Sequence, residues 1–306
     1  MKPSGQVYRG RFAPSPTGPL HFGSLIAAAG SYLEARSRGG QWLLRIEDLD
    51  APRCSTAAAD GILRTLEACG LAWDGVAVRQ SRRTEAYAAA LEQLKADGRV
   101  FPCACTRSEL ADSALAPDGA SIYPGTCRGG LPAGREARAW RLRVGEARIG
   151  FDDAIQGRID SDLASEAGDF VLRRADGVFA YQLAVVVDDA EAGITHVVRG
   201  ADLLLSTARQ IHLQRCLGLP TPAYAHLPVA VNAAGEKLSK QTRAAPLDPA
   251  HPAPSLVAAL RFLGQDPPAV LAAADVGEVW AWAVENWHPE RVPRGPTAWP
   301  DHAAVA

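Results

Sequence analysis

A chain that sets three prolines and a glycine between an apolar run and a helical repeat has few ways to fold locally. Residues 11–24 do this, as Arg11-Phe-Ala-Pro-Ser-Pro-Thr-Gly-Pro-Leu-His-Phe-Gly-Ser24. Pro14, Pro16, Pro19 and Gly18 exclude a helix there. Before them, Val7 to Phe12 reads as a buried strand. After them, Leu25, Ile26, Ala29 and Leu33 share one face of a helix expected over 24–37. A strand, a turn and a helix N-terminus in that order make an anion site, because the first helical N–H groups have no partner and point beyond the strand. Gly23 lets a ligand approach the main chain, and His21 adds a side-chain donor. An ordinary strand–loop–helix connection with a surface histidine fits the same residues.

A second element distinguishes the two readings. Gly235-Glu-Lys-Leu-Ser-Lys240 follows Leu227–Val231, which reads as another strand. The pairing of His-x-Gly-x with Lys-Leu-Ser-Lys resembles the signatures of class I aminoacyl-tRNA synthetases. Arg11-Phe-Ala-Pro-Ser-Pro-Thr-Gly, Arg45-Ile-Glu-Asp-Leu-Asp50 and Val198-Arg-Gly-Ala-Asp202 resemble the glutamyl-tRNA synthetases, with the likeness running over about 7–245. Ser24 in place of a second histidine and Gln241 in place of the final serine depart from that pattern. With the chain length and the cysteine-bearing segment, these departures are similar to the shortened relatives, the glutamyl-queuosine tRNA(Asp) synthetases.

The resemblance implies an α/β fold: a Rossmann-like class I synthetase catalytic core with a zinc-bearing α+β insertion, a short helical C-terminus and no anticodon-binding domain. The expected boundaries are 1–100 for the first half of the core and 101–168 for the insertion. The second half of the core with its Lys-Leu-Ser-Lys loop is expected over 169–245, and the C-terminal segment over 246–306.

Composition agrees with a full core: 47% of the 306 residues are apolar, enough for one large or two moderate domains. A net charge of −2 excludes a globally basic nucleic-acid binder, so RNA contact must come from a local patch. With no leader and no apolar run near 20 residues, a cytoplasmic monomer without membrane contact is expected. Six scattered cysteines do not make a disulfide scaffold. Only four lysines stand against 28 arginines, and two of them are Lys237 and Lys240; that loop calls for a compact, mobile ammonium.

Strand and helix patterns alternate along the chain. Gln41–Ile46 reads as a strand, 55–69 as a helix capped by Ser55 or Thr56, and 83–97 as another helix, the alternation of a parallel sheet with helices on both faces. No Gly-x-Gly-x-x-Gly element supports a dinucleotide fold. Beyond 101 turn residues crowd, with strands expected at Ala139–Val144 and Ile149–Phe151. Regular alternation resumes at Phe170–Arg173, Tyr181–Val187 and Thr195–Arg199, followed by a helix over 206–217. Leu256–Leu263 and Val276–Asn286 are amphipathic, Trp280, Trp282 and Trp287 late in the chain suit core packing rather than base stacking, and 289–306 reads as a proline-rich tail.

Adenylation needs a cradle for ATP, a site for the amino acid and positive charge near the α-phosphate. The cradle is expected at Gly23 and Ser24 with His21, and Lys240, supported by Lys237, suits the developing charge. Glutamate carries two carboxylates and one ammonium, so its pocket must offer arginines and an acid. Arg11 and Arg199 at strand ends, Glu47 for the ammonium and the Tyr181 hydroxyl meet that need. The resemblance places Arg11, Phe12, Ala13, Pro14, Ser15, Glu47, Tyr181 and Arg199 in the L-glutamate site. His21, Lys237 and Lys240 are the expected catalytic residues, and His21, Gly23, Ser24 and Lys240 the ATP-binding ones. Asp48, Asp50 and the Asp188-Asp189 pair could suggest a magnesium site, but equally could cap loops, and are taken as structural. Mg²⁺ is expected to arrive with ATP.

Cys103, Cys105 and Cys127 gather three thiolates suited to Zn²⁺, without any histidine between them. The resemblance points to Tyr123 as fourth ligand; Asp112, Asp118 and water are alternatives, and three unligated cysteines the plain reading. One structural Zn²⁺ per chain would replace the apolar core this segment lacks. Arg128, Arg135, Arg138, Arg141, Arg143 and Arg148 form the most basic stretch, either an RNA track or a solvated strand face.

The function implied is ATP-dependent activation of L-glutamate and its transfer to queuosine at the wobble position of tRNA(Asp). The alternatives are a truncated glutamyl-tRNA synthetase charging the 3′ end of tRNA(Glu), and a non-catalytic RNA- or nucleotide-binding relative.

Overall fold

In the structure, a computed structural model, residues 7–111, 113–115, 121–231, 245–295 and 297–298 are described. The first half runs β1 (Arg9–Phe12), α1 (Phe22–Arg36), β2 (Gln41–Ile46), α2 (Thr56–Ala68), β3 (Val78–Arg79), α3 (Thr84–Ala96) and β4 (Val100–Cys103). The middle adds β5 (Ala139–Leu142), β6 (Arg148–Asp153), β7 (Gly157–Asp162), α4 (Leu163–Glu166) and β8 (Val171–Arg173). Then follow α5 (Tyr181–Glu191), β9 (His196–Gly200), α6 (Leu204–Leu217), β10 (Ala223–Leu227), β11 (Ala230–Val231), α7 (Pro252–Phe262), α8 (Val276–Glu285) and β12 (Thr297–Ala298).

Strands β1, β2 and β3 pair in parallel, and β9 pairs in parallel with β10. The two groups meet where Thr195 N–H donates to Arg9 O at 2.9 Å, which sets the start of β9 beside β1. Alternation along these strands explains the layers. Trp42, Leu44, Val198 and Leu227 pack with α1, α2, α7 and α8, while Leu43, Val197 and Tyr224 pack into a cluster with Ala208 and Ile211 of α6. A strand that buries both of its faces needs helices on both sides.

Local sequence accounts for the helices. Ser55 accepts from Ala58 N–H and caps α2, while Asp275 and Glu278 form a capping box on α8. Gly218, at φ 68°, ends α6 in the left-handed region a side chain disfavours. Trp280 and Trp287 are buried in the core, as their helical spacing suggests; their indole N–H groups donate to Cys69 O at 2.7 Å and Glu34 Oε1 at 2.8 Å.

Four details differ from the sequence reading. Tyr181–Val187 is not a strand but opens α5, because its run Leu183–Val187 is apolar and buried throughout and carries no period. α1 begins at Phe22, with His21 as its N-cap, so the helix starts two residues earlier than expected. The strand expected at Leu227–Val231 ends rather than begins at Leu227, with only Ala230–Val231 beyond it. Within the proline-rich tail, Thr297–Ala298 pairs in parallel with Ala230–Val231. Strand pairing runs across the limits drawn for 101–168, between β5 and β8 and between β6 and β10.

Candidate active site

A cleft of about 890 Å³ opens where β1, β2, β9 and β10 end. Its lining includes Arg11, Phe12, Ala13, Pro14, Ser15, His21, Gly23, Ser24, Glu47, Tyr181 and Arg199. Every candidate site residue of the glutamate and ATP sets that lies among the described residues is in this one cleft. Lys237 and Lys240 lie outside the described residues, as do Asp112 and Asp118.

The main chain explains the convergence. Glu47 N–H donates to Pro14 O at 3.0 Å and Ser55 N–H to Pro16 O at 3.1 Å, so the proline segment is tied to the end of β2. That leaves α1 to start at the cleft wall, with Gly23 and Ser24 of its first turn in the lining. Leu247 N–H donates to Leu20 O at 3.0 Å, and His21 bridges to Pro246, which holds the helix start from the C-terminal side.

Arg199 is 5% exposed and held on three sides. Its Nε–H donates to His226 Nε2 at 3.1 Å, Nη1–H to the Tyr181 hydroxyl at 3.2 Å and Nη2–H to Thr207 Oγ1 at 2.8 Å. Arg11, 4% exposed, places Nε and Nη2 on the Asp189 carboxylate at 3.2–3.3 Å. Arg45 donates to Asp189 Oδ1 at 2.6 Å and to Glu47 Oε1 at 3.3 Å. Asp188 beside it accepts from Gln80, Arg83 and the Tyr87 hydroxyl at 2.6–2.8 Å. The paired aspartates of α5 therefore form a buried floor of ion pairs under the cleft. They act through side-chain bonds to arginines, whereas Asp48 behaves as a loop cap by accepting from Ser81 N–H and Oγ–H at 2.8 Å.

This floor sets the protonation of the acids. Burial raises the Glu47 pKa, and Arg45 and Arg11 oppose that only in part. Burial also acts to raise Asp189, but Arg11 and Arg45 outweigh it and hold this carboxyl below its ordinary range. The Tyr181 phenol is pushed up by burial against the pull of Arg199, so it stays a neutral donor and acceptor.

The Arg45 contribution was not read from the sequence, nor were those of His226 and Thr207. Arg45 sits in the quoted Arg45–Asp50 segment, and its place two residues before Glu47 on the same strand face was the available signal. His226 could have been found only by placing the strand at 223–227.

Away from the cleft, the sulfurs of Cys103, Cys105 and Cys127 lie within 4.8 Å of one another. The Tyr123 hydroxyl is 3.5 Å from Cys103 Sγ and 3.6 Å from Cys105 Sγ, and Cys105 and Cys127 sulfurs are 3.7 Å apart. Sulfurs on a tetrahedral Zn²⁺ at about 2.3 Å stand about 3.8 Å apart, so the donor set fits that ion. Arg141 lies over the Tyr123 ring at 4.0 Å and donates to Cys103 Sγ at 3.3 Å. Of the basic stretch, Arg128 pairs with Asp169, Arg135 with Glu109, and Arg141 is buried. Much of its charge is thus engaged within the protein.

The parallel sheet, the proline-bounded turn into α1 and the cleft at the strand ends belong to a class I tRNA synthetase catalytic domain, as the family match shows. The family described as tRNA synthetases class I (E and Q), catalytic domain, matches residues 7–248. A glutamate tRNA ligase from Elizabethkingia meningosepticum, determined in complex with its amino acid, superposes with a TM-score of 0.80 at 25% identity, covering 96% of this chain and 67% of the other. A glutamate-tRNA synthetase from Elizabethkingia anophelis gives 0.80 at 26%, covering 98% and 69%. Higher identity is found with the glutamyl-Q tRNA(Asp) synthetase of Aromatoleum aromaticum, 64% over 287 residues, spanning 94% of this chain and 91% of the relative. That of Dechloromonas aromatica is 64% identical over 289 residues, spanning 94% and 96%. The chain belongs to this family of glutamyl-Q tRNA(Asp) synthetases. Among the described residues, no helix is long and apolar enough to cross a membrane.

Proposed function

We propose that this protein activates L-glutamate with ATP to glutamyl-adenylate and transfers the glutamyl group to the queuosine of tRNA(Asp). The observation that carries this reading is the meeting of Arg11, Arg199, Glu47 and Tyr181 beside the first turn of α1 in one cleft. Two guanidiniums match the two carboxylates of glutamate, and the one acid matches its ammonium. Glu47 serves that role best when ionised, and a bound ammonium would draw its raised pKa back down. The first turn of α1 and His21 receive phosphate oxygens of ATP, and Mg²⁺ comes with the nucleotide. Lys237 and Lys240 stabilise charge at the α-phosphate.

In the first step a glutamate α-carboxylate oxygen attacks the α-phosphorus and pyrophosphate leaves. In the second a hydroxyl of the queuosine cyclopentenediol attacks the activated carbonyl and AMP leaves. The 64% identity to the Aromatoleum aromaticum protein over nearly the whole chain supports queuosine as acceptor. Zinc, held by Cys103, Cys105 and Cys127 with Tyr123, has a structural role, tying 103–127 together where apolar side chains are few. A cytoplasmic monomer fits these substrates.

The test is transfer of labelled glutamate to tRNA(Asp) with and without queuosine, followed by nuclease mapping. Label confined to the queuosine nucleotide supports the reading. Equal label on both preparations, or transfer to the 3′ end of tRNA(Glu), replaces it with terminal charging. No ATP–pyrophosphate exchange with glutamate points to the non-catalytic relative.

A further inference from the structure

Beneath Arg199 lies a buried pair whose geometry fixes a proton. His226 is fully buried on β10, between Arg199 on β9 and Asp153 at the end of β6. Its Nε2 faces Arg199 Nε and Thr207 Oγ1, each at 3.1 Å; a guanidinium can only donate and a hydroxyl can turn its proton to the ring, so Nε2 accepts. The ring proton therefore sits on Nδ1, which is 2.5 Å from Asp153 Oδ2. The other carboxylate oxygen, Oδ1, accepts three backbone N–H groups, from Ile155 at 3.0 Å, Gln156 at 2.8 Å and His226 at 3.1 Å. Asp153 cannot rotate without losing all three.

We infer that Asp153 and His226 are positioning residues that orient Arg199 for its carboxylate ligand by holding the imidazole in the Nδ1–H tautomer. Asp153 locks the ring, the ring accepts from Nε, and Thr207 accepts from Nη2 at 2.8 Å. The guanidinium plane is then fixed from the side away from the cleft, with Nη1 beside Tyr181. The neutral ring is also the form that burial favours, since burial lowers the His226 pKa while Asp153 opposes that shift. This inference rests on Arg199 binding glutamate, as proposed above.

Asp153→Asn gives a sharp test. The three backbone donors keep an oxygen at the Oδ1 position, which forces the amide –NH₂ onto the Oδ2 position, facing Nδ1. The ring must then accept at Nδ1 and carry its proton on Nε2, so two donors confront each other at Arg199. ATP–pyrophosphate exchange should show the glutamate KM raised about tenfold or more, the loss of one charge-assisted hydrogen bond, while the ATP KM stays within about twofold. His226→Gln, whose amide oxygen reaches the Nε2 position and accepts from Arg199, should retain more glutamate affinity than His226→Leu.

A merely structural role would raise both KM values together or leave both unchanged in the folded variant, and either result overturns the inference. ¹⁵N NMR of the wild-type imidazole is independent of variant folding. Nδ1–H supports the inference, and Nε2–H overturns it. Arg199→Lys separates the two levels: an unchanged glutamate KM there removes Arg199 from the glutamate site and the inference with it. A raised KM in Arg199→Lys beside an unchanged one in Asp153→Asn overturns the inference alone.

Discussion

Replacing Asp189 with asparagine removes one negative charge from between two buried guanidiniums and leaves the side-chain volume nearly unchanged. The carboxylate takes Arg11 at 3.2 Å and Arg45 at 2.6 Å, with the three side chains only 4–8% exposed, so solvent screens little of the interaction. Removing one partner of a buried ion pair costs about 3–5 kcal/mol, because the remaining charge stays desolvated. Arg45 keeps Glu47 at 3.3 Å and Asp188 at 3.6 Å, which offsets part of its loss. The expected effect at pH 7 is therefore at the lower end, about 3 kcal/mol, read as a shift in the urea midpoint at constant slope. The pH dependence has a definite sign. Arg11 and Arg45 overcome burial and depress the folded-state pKa of Asp189, so its contribution is complete above the unfolded value of about 3.9 and disappears as pH falls through the lower folded value. The gap between wild type and Asp189→Asn should be full at neutral pH and begin closing below about pH 4. A loss under about 1 kcal/mol at pH 7, or a gap that widens with acid, refutes the ion-pair account.

Freshly purified protein should hold one zinc per chain by elemental analysis, and Cys105→Ser should release it readily to a chelator; metal-free protein of full stability would remove the zinc assignment. Trp280→Ala should cost about 3–5 kcal/mol in urea unfolding, because the ring is 6% exposed and its indole is bonded to Cys69 O. A cost near zero would mean that α8 does not pack on α1 and α2 in solution.

What the sequence made legible was local: the turn into α1, the caps of α2 and the amphipathic C-terminal helices each follow from spacing and short-range chemistry. The cleft was legible because its residues come at strand ends and in short motifs. Two things were hidden. Residues 183–187 are apolar and buried throughout, and such a segment shows neither a period of two nor of 3.6. The Asp153–His226 pair joins residues 73 positions apart in an ordinary-looking context, and only the parallel pairing of β6 with β10 brings them together. The charge of the arginines at 128–148 was legible too, but not how much of it is paired, as Arg128 is with Asp169 and Arg135 with Glu109.

α5 carries Tyr181 in the cleft at one end and the Asp188–Asp189 floor near the other. Greasy contacts let a helix creep along its neighbours, whereas this helix is pinned to the first two strands by bonds with a preferred direction. In the glutamate pocket proposed above, the depth would thus behave like a fixed gauge. Glutamate and its shorter homologue aspartate differ by one methylene, which a pocket can convert into only about 1–3 kcal/mol of preference. In that proposed pocket, a floor that cannot rise to meet the smaller acid would keep the narrow margin from being lost.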